Sequence, residues 1–420
     1  MALCVIFLSS CQHVVERPNQ VIHLTLWQGI NPPSNRDVFQ KLVDKFNSTH
    51  TDIQIESIFA GVQLTKILAA VVGNSPPDIL SSSPQLIGQF VELGAIVPIE
   101  SWLDKTPVKS EVNANLFQEL RLHGHTWGVP FSTSNIGIFY RHDLFQAAGI
   151  TQVPRTWAEL RQVARKLTLK NGDGRTPAFS DRPPEQYGIL LPLGKSEWTV
   201  LSWFPFLLSA GGEIAANDQP NLTNPGAVKA LEFWEDLIKD GSALLSPLER
   251  GYEEDAFLTG RVAMQITGPW TNIGKSKNVD YKVFPIPADV TRSTVTSSGV
   301  FYVMKTNPER EKAAFKFLEF VMSQEFQTDW SIGTGFLPVN SKSAQSPAYQ
   351  KYLRQKPWLK VFLDQIPISR NRPNLLGYNR LSDSLGRAIE ATLLGKSSAR
   401  DALKQAQARI APFWPSNREQ

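Results

Sequence analysis

The chain has 420 residues, 42% of them hydrophobic and 20% charged, with a formal net charge of +4. This is a globular composition with length for two domains, and it lacks the apolar run of about 18 residues that a membrane span needs. Lys and Arg are scattered rather than massed, which argues against nucleic acid as a partner, and two cysteines cannot build a disulfide framework.

Leu8-Ser9-Ser10-Cys11 follows a short apolar run and precedes the polar stretch from Gln12 to Gln20. It reads as a lipobox. Cys11 is the residue that lipoprotein processing would lipidate and leave as the mature N-terminus, tethering the remainder outside the cytoplasmic membrane. A buried strand from Leu3 to Leu8 is the other reading. No Lys or Arg precedes the run, and the run is short, which points to a translation start upstream of Met1.

From Val21 to Trp27 apolar and polar residues alternate, with Ile22, Leu24 and Leu26 on one face, so a strand is expected. Phe39, Leu42, Val43 and Phe46 then recur at helical spacing, with Ser34 and Asn35 as cap candidates. Asp52 to Phe59 alternates again, Leu64 to Val72 is helical, and Pro77-Asp78-Ile79-Leu80 opens another strand. Strands alternating with helices argue for an α/β fold with a mainly parallel sheet.

Pro130 to Tyr140 is an extended run, and Arg141 to Ala148 a helix stopped by Gly149. Asn224-Pro225 and Asn307-Pro308 are N-cap plus first-turn signals, the former opening a helix that ends at Asp240-Gly241. Their inward faces would carry Val228, Leu231, Trp234, Leu237 and Ile238, and Ala314, Phe317, Leu318 and Val321. Ser398 caps a last helix carrying Leu403 and Ile410. No linker or repeat interrupts the chain. Eleven Trp and 23 Phe suit a core that also grips a flat-faced ligand.

Three segments resemble chemical sites and read as structure. Asn171-Gly172-Asp173-Gly174 has calcium-like oxygens but no downstream glutamate, and reads as a turn. His123 and His125 have no further ligand cluster for zinc. Glu253-Glu254-Asp255 reads as the acidic first turn of a helix.

The order of the motifs resembles the extracytoplasmic solute-binding proteins of carbohydrate ABC importers, the family of maltose-, trehalose- and glycerol-phosphate-binding proteins. The segments that carry the resemblance span nearly the whole chain. They are Ile22 to Trp27, Pro77-Asp78-Ile79, Gly124 to Phe131, Phe139 to Phe145, Ala147 to Ile150, Pro154 to Leu160, Phe257 to Met264, Gly268-Pro269-Trp270 and Gly335 to Val339. The resemblance implies a two-lobed periplasmic-binding-protein (type II) fold with an interlobe ligand cleft and a multi-strand hinge. By this analogy the crossovers lie near Ser132 to Ser134, near Thr296 to Gly299 and around Asn340. Residues 1–20 would then be signal and tether, 21–131 plus 297–340 lobe 1, and 132–296 plus 341–420 lobe 2.

A sugar offers CH faces to aromatic rings and hydroxyls to planar polar groups. Trp270, exposed by the Gly268-Pro269 turn, is the expected stacking ring. Trp203 is a second, with Phe204 or Trp198 as competing rings. Gln28 and Gly29 end the first strand, where α/β sheets place ligands. Ser81, Ser82 and Ser83 follow the third strand, and Thr133, Ser134 and Asn135 sit at the first crossover. Gly299 at the second would let a ligand oxygen approach the backbone. Arg372 and Tyr378 lie in a late cleft segment, where Arg372 either holds hydroxyls or a phosphate or makes a salt bridge.

The expected function is a monomeric, lipid-anchored binding protein at the periplasm or cell surface. It would deliver a di- or oligosaccharide, or a polyol glycoside such as glucosylglycerol, to the transmembrane subunits of an ABC permease and through them to the ATPase. No catalytic residue, metal or cofactor is expected. The alternative ligand is sn-glycerol 3-phosphate or a glycerophosphodiester. A secreted glycoside hydrolase is the distant alternative.

Overall fold

The alternating residues of Ile22–Gln28 form an inner strand of the first sheet, between Ile53–Phe59 and Ile79–Ser82. Leu24 and Leu26 are fully buried and meet Phe39, Val43 and Phe46 of the Pro33–Thr49 helix. The computed structural model describes residues 21–414 apart from 62–63, 171–183, 218, 248–253, 272, 274–275 and 277. Cys11, Glu253 and the Asn171–Gly174 turn lie outside the described residues.

Ile22–Gln28 pairs in parallel with Ile53–Phe59 and with Ile79–Ser82. Helices Pro33–Thr49 and Leu64–Val72 supply the crossovers that parallel pairing requires. Thr294–Val303 adds to this sheet antiparallel to Ile79–Ser82, and Val129–Asn135 lies antiparallel on its other side. A second sheet runs Ala243–Leu245, Pro184–Leu191, Val262–Thr267, Gly137–Arg141 and Tyr281–Pro285. Both sheets are mixed rather than mainly parallel, because chain returning from one sheet to the other enters in the reverse direction.

Each sheet carries its own core, giving two lobes, and the chain changes core along paired strands. Val129 and Phe131 pack in the first core, Ile136 and Ile138 in the second. Val295 packs in the second, and Val300 to Val303 in the first. The two strands run side by side from Thr296↔Asn135 to Phe301↔Val129, with a bulge between Gly299 and Val300. Further on, Trp330 and Val339 belong to the first core, while Leu337 packs with Phe139, Leu359 and Phe362 on the second sheet.

The cap signals act as their chemistry predicts. The side chains of Asn224, Asn307 and Ser398 each accept from a backbone N–H three residues on. The first helix differs. Pro32 is its N-cap and Pro33 its first residue, so Ser34 and Asn35 lie inside it. Proline at the first position loses no helical hydrogen bond, which moves the start upstream.

A second difference is the Glu197–Ser209 helix, which contains Trp203, Phe204 and Pro205 in its interior. Eleven of its residues are buried, so apolar burial on every side outweighs the cost of an internal proline. Glu254 immediately precedes the short Asp255–Leu258 helix, whose first turn carries Asp255. The entry to the third strand is tied by Asp78, 3% exposed, which accepts from Arg310 Nε and Nη2 at 2.6 Å each. Its carboxylate also accepts from Thr25 N at 2.8 Å. No described helix is long and apolar enough to cross a membrane.

Candidate ligand-binding site

All six residues of Val262–Thr267 are buried, and the strand delivers its chain to the Gly268-Pro269-Trp270 turn. A Cβ on Gly268 would stand 2.1 Å from Trp270 Cζ3, so glycine allows the indole to fold back over the turn. The indole is half-buried. It stacks on Phe336 with centroids 5.3 Å apart and planes 18° apart, and meets Trp198 edge-on at 6.2 Å. Phe336 stacks in turn on Trp330 at 5.8 Å and 11°.

Trp270 packs against the second core and Phe336 against the first, so this stack joins the lobes. Two backbone contacts set it. Asn35 Nδ2 donates to Trp270 O at 3.2 Å, and Gly335, at φ +88°, leaves space for Pro269 O, which a Cβ would meet at 2.2 Å. A cavity of about 190 Å³ lies against the same turn, lined in part by Pro269, Thr271, Thr334, Tyr352 and Trp358.

Next to Trp198, Glu197 opens its helix and gathers three donors. They are Arg372 Nη1, Tyr378 OH at 2.9 Å and Ser382 Oγ. Tyr378 and Ser382 are one helical turn apart in Tyr378–Leu393, which puts both on the same face. Burial works against the charge of Arg372, yet Tyr378 and Glu197 outweigh it and raise its pKa. Burial likewise pushes the Tyr378 phenol well above its ordinary value.

Glu119 approaches Arg372 from the first lobe. It caps the short Ala114–Gln118 helix, is 7% exposed, and its backbone oxygen accepts from Asn374 Nδ2 at 2.5 Å. Burial pushes its carboxyl above the usual range, and neighbouring Ser298 and the charge of Arg372 offset this only in part. Among the described residues, Glu119 Oε1, Arg372 Nε and Asn374 Oδ1 are buried without a hydrogen-bond partner, as are Gln85 Oε1 and Gln89 Oε1. Each such atom costs about 1–3 kcal/mol while it lacks a partner, and a polar guest at Glu119, Arg372 and Asn374 would supply one.

Residues 41–355 match the family model described as bacterial extracellular solute-binding protein. The chain belongs to that family. A Brucella abortus (strain 2308) chain named as a binding protein is 27% identical over 385 residues, covering 88% of each chain. The sn-glycerol-3-phosphate-binding periplasmic protein UgpB of Brucella melitensis is 22% identical over 408 residues, covering 92% of each. The solved structure of maltose-bound MalE3 from T. maritima superposes with a TM-score of 0.81 at 21% identity, covering 94% of this chain and 100% of that one. The family is therefore that of bacterial extracellular solute-binding proteins, and the fold is the two-lobed one of the solved binding protein.

In this solute-binding protein the expected site residues divide. Trp270, Gly29, Ser81, Ser82, Ser83 and Thr133 remain partly accessible. Trp203 is corrected: it is fully buried in the second core, with Phe204 at 2%, because its helix is apolar on all sides. Trp198 takes the place beside Trp270. Asn135 is 1% exposed and occupied, donating to Phe362 O and accepting from Gln365, both at 2.8 Å. Ser134, 2% exposed, is buried in the same crossing strand. Gln28 Oε1 accepts from Ile30 N at 2.9 Å and so shapes the loop after its strand.

The glycine at 299 makes room for protein rather than ligand, since a Cβ there would meet Ser132 Oγ at 2.5 Å and Phe131 Cε1 at 2.6 Å. Arg372 forms a salt bridge to Glu197, its own side chain 4% exposed and that of Glu197 39%. The structure adds Glu119, Glu197, Asn374 and Phe336 as candidates. Phe336 lay inside a recognised motif, directly after a glycine. The two glutamates look in the sequence like ordinary surface acids.

Proposed function

We propose that this solute-binding protein captures a small carbohydrate or polyol glycoside between its lobes and hands it unchanged to an ABC permease. The Trp270–Phe336 stack supports this reading most. It is an aromatic surface at the junction of two lobes, partly open, and Trp198, which meets Trp270, directly follows Glu197, the partner of Arg372. That combination fits a guest with CH faces and hydroxyls. Ligand touching both lobes favours the closed form, by population shift, and no bond is broken. We further propose the lobe limits 21–131 plus 297–340 and 132–296 plus 341–420, a lipid anchor on Cys11, and a monomer.

The second reading is sn-glycerol 3-phosphate or a glycerophosphodiester, supported by the name of the Brucella melitensis relative. A thermal-shift screen against mono-, di- and trisaccharides, glucosylglycerol and glycerol phosphates separates the two, because a ligand that binds only the folded protein raises the melting temperature. Stabilisation by a neutral sugar supports the first reading. Stabilisation by phosphate esters alone overturns it.

A further inference from the structure

The Glu119–Arg372–Asn374 seam is more specific than a generic polar wall. The orientation of Asn374 is fixed by its contact, since only its amide N–H can donate to the Glu119 carbonyl, so the atom left over is the acceptor Oδ1. Glu119 Oε1 is a second unmet acceptor, and Arg372 Nε is an unmet donor between them in sequence and charge. Glu119 and Arg372 are more than nine-tenths buried, at 7% and 5% exposure.

The charge count of the seam also matters. Arg372 is matched by Glu197, whose other donors, Tyr378 and Ser382, are neutral. With Glu119 also in reach of Arg372, two carboxylates share one guanidinium. A phosphate brings only acceptors and negative charge to a place that already has both. A hydroxyl brings the donor that Glu119 and Asn374 lack, and a lone pair for Arg372 Nε.

Resting on the carbohydrate reading above, we infer that Glu119 and Asn374 are specificity-determining residues that accept hydrogen bonds from hydroxyls of a neutral polyol and so reject phosphate esters. Glu119 reaches the guest from the first lobe and Arg372 from the later segment, so one vicinal diol held by both would also draw the lobes together.

The test is calorimetric titration of the full chain, of Glu119→Gln and of Asn374→Ala. The probes are the neutral glycoside that stabilises best in the screen and sn-glycerol 3-phosphate. Circular dichroism reports the fold of each variant. The expected result is tight binding of the neutral probe and none of the phosphate by the parent chain. Glu119→Gln, which keeps the shape but replaces an acceptor oxygen with a donor, should lose about tenfold or more in affinity, and Asn374→Ala several-fold. Unchanged affinity in both folded variants, with the parent still binding the sugar, overturns the inference and leaves the carbohydrate reading standing. Preference for the phosphate overturns the inference. Binding of neither probe overturns the carbohydrate reading and the inference with it.

Discussion

Phe336 and Trp270 pack against different cores and yet stack with nearly parallel planes, 18° apart with centroids 5.3 Å apart. A ring pair of this kind is worth about 0.5–1.5 kcal/mol beyond the area it buries, so it both braces the lobe junction and presents a flat surface. Replacing Trp270 by Ala should weaken sugar binding by roughly tenfold or more, about 1.4 kcal/mol, while the protein stays folded. Calorimetry against the best sugar checks the first part and circular dichroism the second. Unaltered affinity would remove Trp270 from the site.

The turn beneath the indole offers a gentler probe. A methyl group on Gly268 would collide with the Trp270 ring at 2.1 Å, while the strand before it is anchored along its length. Gly268→Ala should therefore move the indole without deleting it. The expected outcome is a shift in tryptophan emission together with weaker binding. A variant with parental emission and affinity would show that the ring does not depend on this turn.

Glu119 links pH to stability. Burial raises its folded-state pKa above the ordinary value of 4.5, so the native protein holds this proton more tightly than the unfolded chain. The stability it contributes is complete below about 4.5 and is lost as pH rises through the raised folded value. Glu119→Gln should thus melt higher than the parent at neutral pH and alike at pH 4. The same substitution should weaken the sugar, which separates a binding role from a purely structural one. Melting curves at the two pH values check this. A variant that melts lower at neutral pH contradicts the burial argument.

A network in the second lobe predicts the opposite sign. Burial opposes ionisation of Asp240, yet Arg161 and Arg165 bring it from 3.8 down to about 2. Its stabilisation is present above the unfolded pKa and disappears as pH falls through about 2. At about 1.36 kcal/mol per pKa unit, Asp240→Asn should cost roughly 2 kcal/mol at neutral pH and little near pH 2. Denaturant titrations at the two values measure the difference. An equal cost at both would locate the effect in packing.

Local signals made much of this architecture legible. The strand Ile22–Gln28 showed in its alternation, and the helices after Asn224 and Asn307 in their caps. Those are interactions between residues a few positions apart. Within the candidate site, a motif in the sequence marked Trp270 and its turn. Trp203 was misplaced because a tryptophan on a strongly apolar helix carries no mark of which side faces a cleft. Glu119 and Glu197 were invisible because their significance arises from Arg372, Tyr378 and Asn374, which are distant in sequence and meet only after both lobes have folded.

The central claim is that a neutral sugar sits between Trp270 and the Glu119–Arg372 seam. Its most direct test is a crystal structure of the protein soaked with, or grown in, the glycoside that raises its melting temperature most. The account predicts a sugar ring against the accessible face of Trp270 and a hydroxyl within hydrogen-bond distance of Glu119. A sugar bound elsewhere, with Trp270 and Glu119 untouched, would contradict it.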